Sequence, residues 1–122
     1  VFNTVAAALL PQLIGRKKAY ELILGGNTLT AADAERLGLI TRVVPDDKLE
    51  AEVAVLIQRF QEASAVVLQL TRRAIAGGFD LLFPDALRHA EDVYLNQLMA
   101  TEDFEEGLQA IVAKRKPVWK DK

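Results

Sequence analysis

Apolar residues in this chain recur at helical spacing, and glycine, proline or a capping residue divides them into short segments. Such a pattern constrains the fold to a series of short helices. Val5 to Ile14 is apolar, carries Pro11 and stops at Gly15. Lys17 to Leu24 places Ala19, Tyr20, Ile23 and Leu24 together before Gly25–Gly26 breaks it. Thr30 opens TAADAERLGL, where Asp33 three residues on approaches a capping box and Gly38 is the stop. Leu49, Val53, Leu56, Ile57 and Phe60 make the next stripe. Ser64 caps another helix, with Val67, Leu68, Thr71 and Ile75 on its apolar side and Gly77–Gly78 at its end. Pro84 suits the first turn of a longer helix with a buried face of Leu87, Ala90, Tyr94 and Leu98. The exception is LITRVV, Leu39 to Val44, which is β-branched and short and reads as a strand. Pro45, Asp46 and Asp47 then turn the chain.

The last helix sorts its charges. In TEDFEEGLQAIVAKRKPVW, Thr101 is the amino-terminal cap and Glu102, Asp103, Glu105 and Glu106 fill the first turns. Lys114, Arg115 and Lys116 follow at the other end, and Pro117 is expected to stop the helix. Both placements complement the helix dipole. Phe104, Leu108, Ile111 and Val112 form the expected apolar stripe. Lys114 to Lys122 holds four lysines and one arginine against one aspartate, an end that would suit a phosphorylated ligand.

The totals exclude several classes. With 122 residues, 51% of them hydrophobic and 26% charged, the chain is sized for one ordinary globular domain. A net charge of −2 gives no general attraction to nucleic acid or to an anionic membrane. The longest apolar run, Val5 to Leu10, is too short to cross a bilayer. The chain has no cysteine, so disulfides, thiolate metal sites and a cysteine nucleophile are excluded. His89 is the single histidine, mid-helix beside Glu91 and Asp92, which adjacent positions do not aim at one metal. Nothing in the spacing joins it to Ser64, the single serine, as a catalytic pair. There is no GxGxxG or P-loop pattern. Arg72–Arg73 and the Arg16–Lys17–Lys18 run read as solvated helix faces, and the carboxylate pairs Asp46–Asp47 and Glu105–Glu106 as turn and helix-start residues. The run at Val5 to Leu10 is apolar on more than one side, which calls for cover from more protein. The first residue, Val1, is not a methionine, which processing or proteolysis would explain.

Four blocks, LLPQLIGRKKAYELILGG, LTAADAERLGLITRVVPDDKL, SAVVLQLTRRAI and TEDFEEGLQAIVAKRKPVW, together resemble the carboxyl-terminal half of the enoyl-CoA hydratase/isomerase family, the crotonase superfamily. They fall in the family's order and spacing and cover nearly the whole chain. The resemblance implies a mainly α chain, residues 1–44 ending the core region and residues 45–122 forming a helical oligomerisation region. The parent would be an α/β enzyme of the crotonase spiral fold that handles an acyl-CoA thioester as a hydratase or isomerase, through a thioester enolate. It implies no separate cofactor, since coenzyme A is part of the substrate, and a cytoplasmic homo-oligomer, a trimer or a dimer of trimers, with no nucleic acid or membrane partner. The oxyanion-hole amides and the hydratase glutamates lie in the family's amino-terminal half, so these 122 residues alone are expected to be inactive, with no catalytic residue among them. The other reading is a natural, non-catalytic helical module that mediates assembly.

The resemblance also nominates substrate-binding residues. Lys114 matches a lysine near the CoA nucleotide, while Leu95 and Ile111 match positions that tend to be apolar around ligand, often from a neighbouring subunit. Asn3 falls near the position where some members carry a reactive aspartate. Asparagine cannot act as that base or nucleophile, but it can hydrogen-bond substrate or water, or simply cap a helix. The segment VFNTVAAALLP resembles the cyclic dienoyl-CoA hydratases.

Overall fold

The computed structural model describes residues 3–122 and is helical throughout, with no strand among the described residues. Val1 and Phe2 of the VFNTVAAALLP segment lie outside the described residues. The chain divides into two compact units, Val1–Glu50 and Ala51–Lys122.

The first unit holds α1 (Thr4–Ile14), α2 (Arg16–Gly25) and α3 (Ala31–Arg36). Helix α1 runs through Pro11, and Gly15, at φ 78°, turns the chain so that α2 packs back on α1. Ala19 is buried there because its small side chain lets the two helix backbones approach. Thr30 caps α3 as the sequence suggests, its Oγ1 accepting from the Asp33 amide at 3.1 Å. Asp33 in turn pairs with Arg36. Gly38 ends α3 at φ 77°: its amide donates to the Glu35 carbonyl and the Leu39 amide to the Ala34 carbonyl, the paired bonds of a left-handed helix stop. The expected strand at Leu39 to Val44 is absent. Its β-branched residues have no neighbouring strand to pair with, and a single strand cannot satisfy its own backbone. A short 3₁₀ turn at Asp46–Lys48 leads into α4 (Leu49–Gln61), which crosses the division at Glu50.

The second unit continues with α5 (Ala65–Ala76), α6 (Phe83–Asn96) and α7 (Glu102–Val112). Ser64 caps α5, accepting from the Val67 amide at 3.2 Å, and Thr101 caps α7, accepting from the Phe104 amide at 3.1 Å. Pro84 lies in the first turn of α6, as expected. The buried face of α6 keeps Ala90 of the expected line, and Leu98 is half-buried in the 3₁₀ turn Leu98–Ala100 that follows, but Ala86 and Val93 take the places of Leu87 and Tyr94. Val93 is 2% exposed and Ala86 and Ala90 are half-buried, whereas Leu87 and Tyr94 are exposed. Small residues decide this. A Cβ on Gly78 would lie 3.4 Å from the Ala86 Cβ, so α5 and α6 meet where neither has bulk. Tyr94 instead packs edge-to-face on Phe104, ring centres 5.7 Å apart.

Gly77 serves the same contact. A Cβ there would overlap the His89 ring, whose Nε2 sits 3.2 Å from the Arg73 carbonyl oxygen near the end of α5. Gly77→Ala is therefore expected to displace the ring and cost about 1 kcal/mol, the worth of that hydrogen bond. In a His89→Ala background the same change should be neutral or stabilising, which a double-mutant cycle by denaturant unfolding would read.

Much of the apolar surface stays open. The chain exposes 10013 Å². Two compact units of these sizes, taken separately, would expose about 7,800 Å² in all. The stripe expected on α4 is present, but Leu49, Val53, Leu56, Ile57 and Phe60 are all exposed. Among the described residues no single helix is long and apolar enough to cross a membrane.

Candidate functional site

Glu102, Asp103 and Glu105 fill the first turn of α7 as the sequence suggests, but the basic half of the charge sorting has a different cause. Helix α7 ends at Val112, before the basic residues, and Pro117 plays no part in stopping it. The chain turns at Lys114 and folds back along α7. Arg115 grips Glu106 with both nitrogens, Nη1 to Oε1 at 2.5 Å and Nη2 to Oε2 at 2.8 Å, and the Val118 amide donates to Oε1 at 2.7 Å. Lys120 reaches Glu102 at 2.9 Å. The acids near the start of α7 and the bases that follow it are thus partners across a fold-back.

Asp103 is the hub. It is 1% exposed, and its carboxylate accepts from the Lys120 amide at 2.7 Å, the Asp121 amide at 2.9 Å and the Ser64 hydroxyl. Burial alone would raise its pKa, but these donors, with the Lys120 charge, outweigh it and hold the carboxyl below its ordinary value. Asp121 then accepts from the Ala65 amide at 2.8 Å, so the last residues of the chain help to cap α5. Trp119 lies over Gly107, and its Nε1 donates to the Glu62 carbonyl at 2.8 Å. The Arg115 grip and the Val118 amide push Glu106 down to about 2. Glu102 is lowered by Lys120. Each of these shifted carboxyls serves this clasp.

The buried side of α7 is consequently polar, Asp103 and the half-buried Glu106, with Gly107 and Ala110 giving space. The stripe predicted as its core face turns outward: Leu108 is exposed, Ile111 is 75% exposed and Val112 is 84% exposed. Of that stripe only Phe104 is covered, by Tyr94.

Lys114 stands at the turn with φ 51°. Its amide donates to the Ile111 carbonyl at 3.2 Å and the Arg115 amide to the Ala110 carbonyl at 3.0 Å. That is the same helix stop that Gly38 makes after α3, built here on a residue that pays for the left-handed backbone. Lys114→Gly is expected to stabilise the chain by about 0.5–1 kcal/mol, read as a higher Tm.

The nominated residues fall in both units. Asn3 belongs to the first; Leu95, Ile111 and Lys114 belong to the second. Lys114 and Ile111 are joined by the backbone bond above, while Leu95 is 58% exposed on α6. The Asn3 Oδ1 accepts from the Ala6 amide at 3.0 Å and caps α1. Asn3 also lines a groove of about 330 Å³ with Leu10, Leu22, Ile23 and Leu39. Among the described residues no group of histidine and carboxylate side chains is placed to hold a metal ion.

The enoyl-CoA hydratase/isomerase family profile matches residues 2–122. The chain belongs to the enoyl-CoA hydratase/isomerase family. A probable mitochondrial enoyl-CoA hydratase of Dictyostelium discoideum is 33% identical over 113 residues, which are 93% of this chain and 40% of that protein. A probable enoyl-CoA hydratase of Rhizobium meliloti is 36% identical over 111 residues, 91% of this chain and 43% of that protein. The crystal structure of an enoyl-CoA hydratase subunit from Geobacillus kaustophilus superposes with a TM-score of 0.87 at 31% identity, over 100% of this chain and 48% of that one. The chain thus spans less than half the length of these members of the enoyl-CoA hydratase/isomerase family, and its helices follow the crotonase fold.

Sequence reasoning missed Asp103, Glu106 and Trp119 as a unit. The available signal was the matching order of charges, Glu102 and Glu106 before Arg115 and Lys120, followed by a tryptophan too large to leave unsupported at a chain end.

Proposed function

We propose that these residues form the carboxyl-terminal part of an acyl-CoA enzyme, a hydratase or isomerase working through a thioester enolate, and that they do not catalyse alone. The observation that carries this reading is the superposition of the entire chain on less than half of an enoyl-CoA hydratase, with apolar helix faces left open. The substrate is an acyl-CoA thioester, and coenzyme A enters with it, so no separate cofactor is needed. Lys114 meets the phosphates of the CoA nucleotide with its ammonium, Leu95 and Ile111 present apolar surface to the ligand, and Asn3 offers its Nδ2 to substrate or water. None of these can supply enolate chemistry, which requires amide donors aimed at the thioester oxygen and a positioned acid or base. Asp103 and Glu106 are committed to the clasp and the lowered Asp33 to its own helix cap and Arg36, which supports the same view. The whole protein is a cytoplasmic homo-oligomer, a trimer or a dimer of trimers, and the outward Ile111 and Val112 suit such an interface. The cyclic dienoyl-CoA hydratase subtype rests on Asn3 and the VFNTVAAALLP segment.

The open faces favour a second reading, a non-catalytic helical module whose work is assembly. Residues 1–122 should show no turnover of a 2-enoyl-CoA. Hydration by these residues alone would overturn the proposal of an incomplete catalytic site. If the polypeptide made in the source starts at Val1, the assembly module stands instead.

A further inference from the structure

We infer that Glu106 and Arg115 are positioning residues for Lys114, and that their paired grip holds the lysine in its left-handed turn so that the ammonium is presented to the CoA nucleotide. The inference rests on the reading of Lys114 as the nucleotide contact and extends it to two residues that touch no ligand.

The geometry is local and specific. Lys114 is one of two non-glycine residues at positive φ among the described residues; the other is Asp121, at 58°. The two bracket the fold-back segment. Left to itself a lysine favours negative φ, so something must hold it. Two backbone bonds from the end of α7 are common to the stop at Gly38 and do not explain a lysine there. What Gly38 lacks is the grip on the next residue. Arg115 is anchored through both guanidinium nitrogens to Glu106, nine residues back, and its Nη1 also reaches the Lys116 carbonyl at 3.2 Å. Glu106 also takes the Val118 amide. The carboxylate therefore pins the chain at both Arg115 and Val118, immediately after the turn. Glu106 is only 17% exposed, so this anchor sits against the helix while the Lys114 side chain is left in solvent. Planar bidentate geometry matters here, because it fixes direction as well as distance.

The test uses the chain with Glu106→Gln, Arg115→Lys and Lys114→Ala, in two parts. In the first, the intraresidue amide-to-Hα nuclear Overhauser effect of Lys114 reports its backbone, being strong only at positive φ. It should be strong in the wild type and weaken in Glu106→Gln. Arg115→Lys keeps the charge but loses the planar fork, and should weaken it less; this variant serves if Glu106→Gln does not fold. In the second part, binding of adenosine 3′,5′-bisphosphate is compared with binding of pantetheine, which lacks the nucleotide. Lys114→Ala and Glu106→Gln should each weaken the bisphosphate by about tenfold, the loss of one charge-assisted contact, and leave pantetheine unchanged. A general loss of structure would weaken both probes. A Lys114 signal that stays strong in both clasp variants would overturn the inference and leave the Lys114 reading standing. If Lys114→Ala leaves the bisphosphate affinity unchanged, the Lys114 reading fails and the inference fails with it, whatever the signal shows.

Discussion

Trp119→Ala is expected to cost roughly 3 kcal/mol of unfolding free energy, at the low end for removal of a large aromatic because the ring is half-buried. Two losses combine. The indole covers Gly107, where no side chain can replace it, and its Nε1 is the donor that ties the tail to the Glu62 carbonyl, just before α5. Without the indole, the amides of Lys120 and Asp121 are held only through Asp103, and Asp121 is less firmly placed to cap Ala65. Trp119→Phe separates the contributions. It keeps most of the ring and loses the donor, so about 1 kcal/mol should remain of the effect. Chemical denaturation followed at an α5 probe reads both. A Trp119→Ala protein as stable as the wild type would show that the tail is not part of the fold.

Acid should open the same clasp. Glu106 titrates near 2 in the folded chain against 4.5 for a free glutamate, and Asp103 and Glu102 are lowered as well. A carboxyl whose folded pKa lies below its unfolded value binds protons more readily when unfolded. Its stabilisation is therefore complete above about pH 4.5 and is lost progressively as pH falls toward 2. The midpoint for urea unfolding should fall across that window, and Glu106→Gln should remove part of the slope while lowering stability at neutral pH. Because Glu106 is bound by an arginine that stays charged, acid acts here through the carboxylates alone.

Helix positions were legible because they depend on local chemistry. Thr30, Ser64 and Thr101 cap where their spacing to the next apolar run says, and Gly15 and Gly38 turn where only glycine is comfortable. The faces were less legible. On α6 Ala90 is covered as expected, but Ala86 is covered in place of Leu87, since close approach to Gly78 decides the packing, and Tyr94 stays exposed. On α7 the apolar stripe is real but points away from the fold, and the helix buries Asp103 instead. A hydrophobic pattern says that a face will be covered, not by what. LITRVV has strand composition and no strand partner among the described residues. Of the candidate site, Lys114 could be nominated from a basic end and a family resemblance; its left-handed backbone could not be foreseen, because lysine carries no local signal for it.

Acyl-CoA chemistry is tested most directly by a turnover assay of the polypeptide as its source makes it. The protein is offered 2-enoyl-CoA and 3-enoyl-CoA thioesters, and loss of the conjugated enoyl thioester or its appearance is followed. Hydration or double-bond migration with the intact protein, together with silence from residues 1–122 alone, is the predicted result. An intact protein twice this length that binds no CoA thioester and turns over none would contradict it.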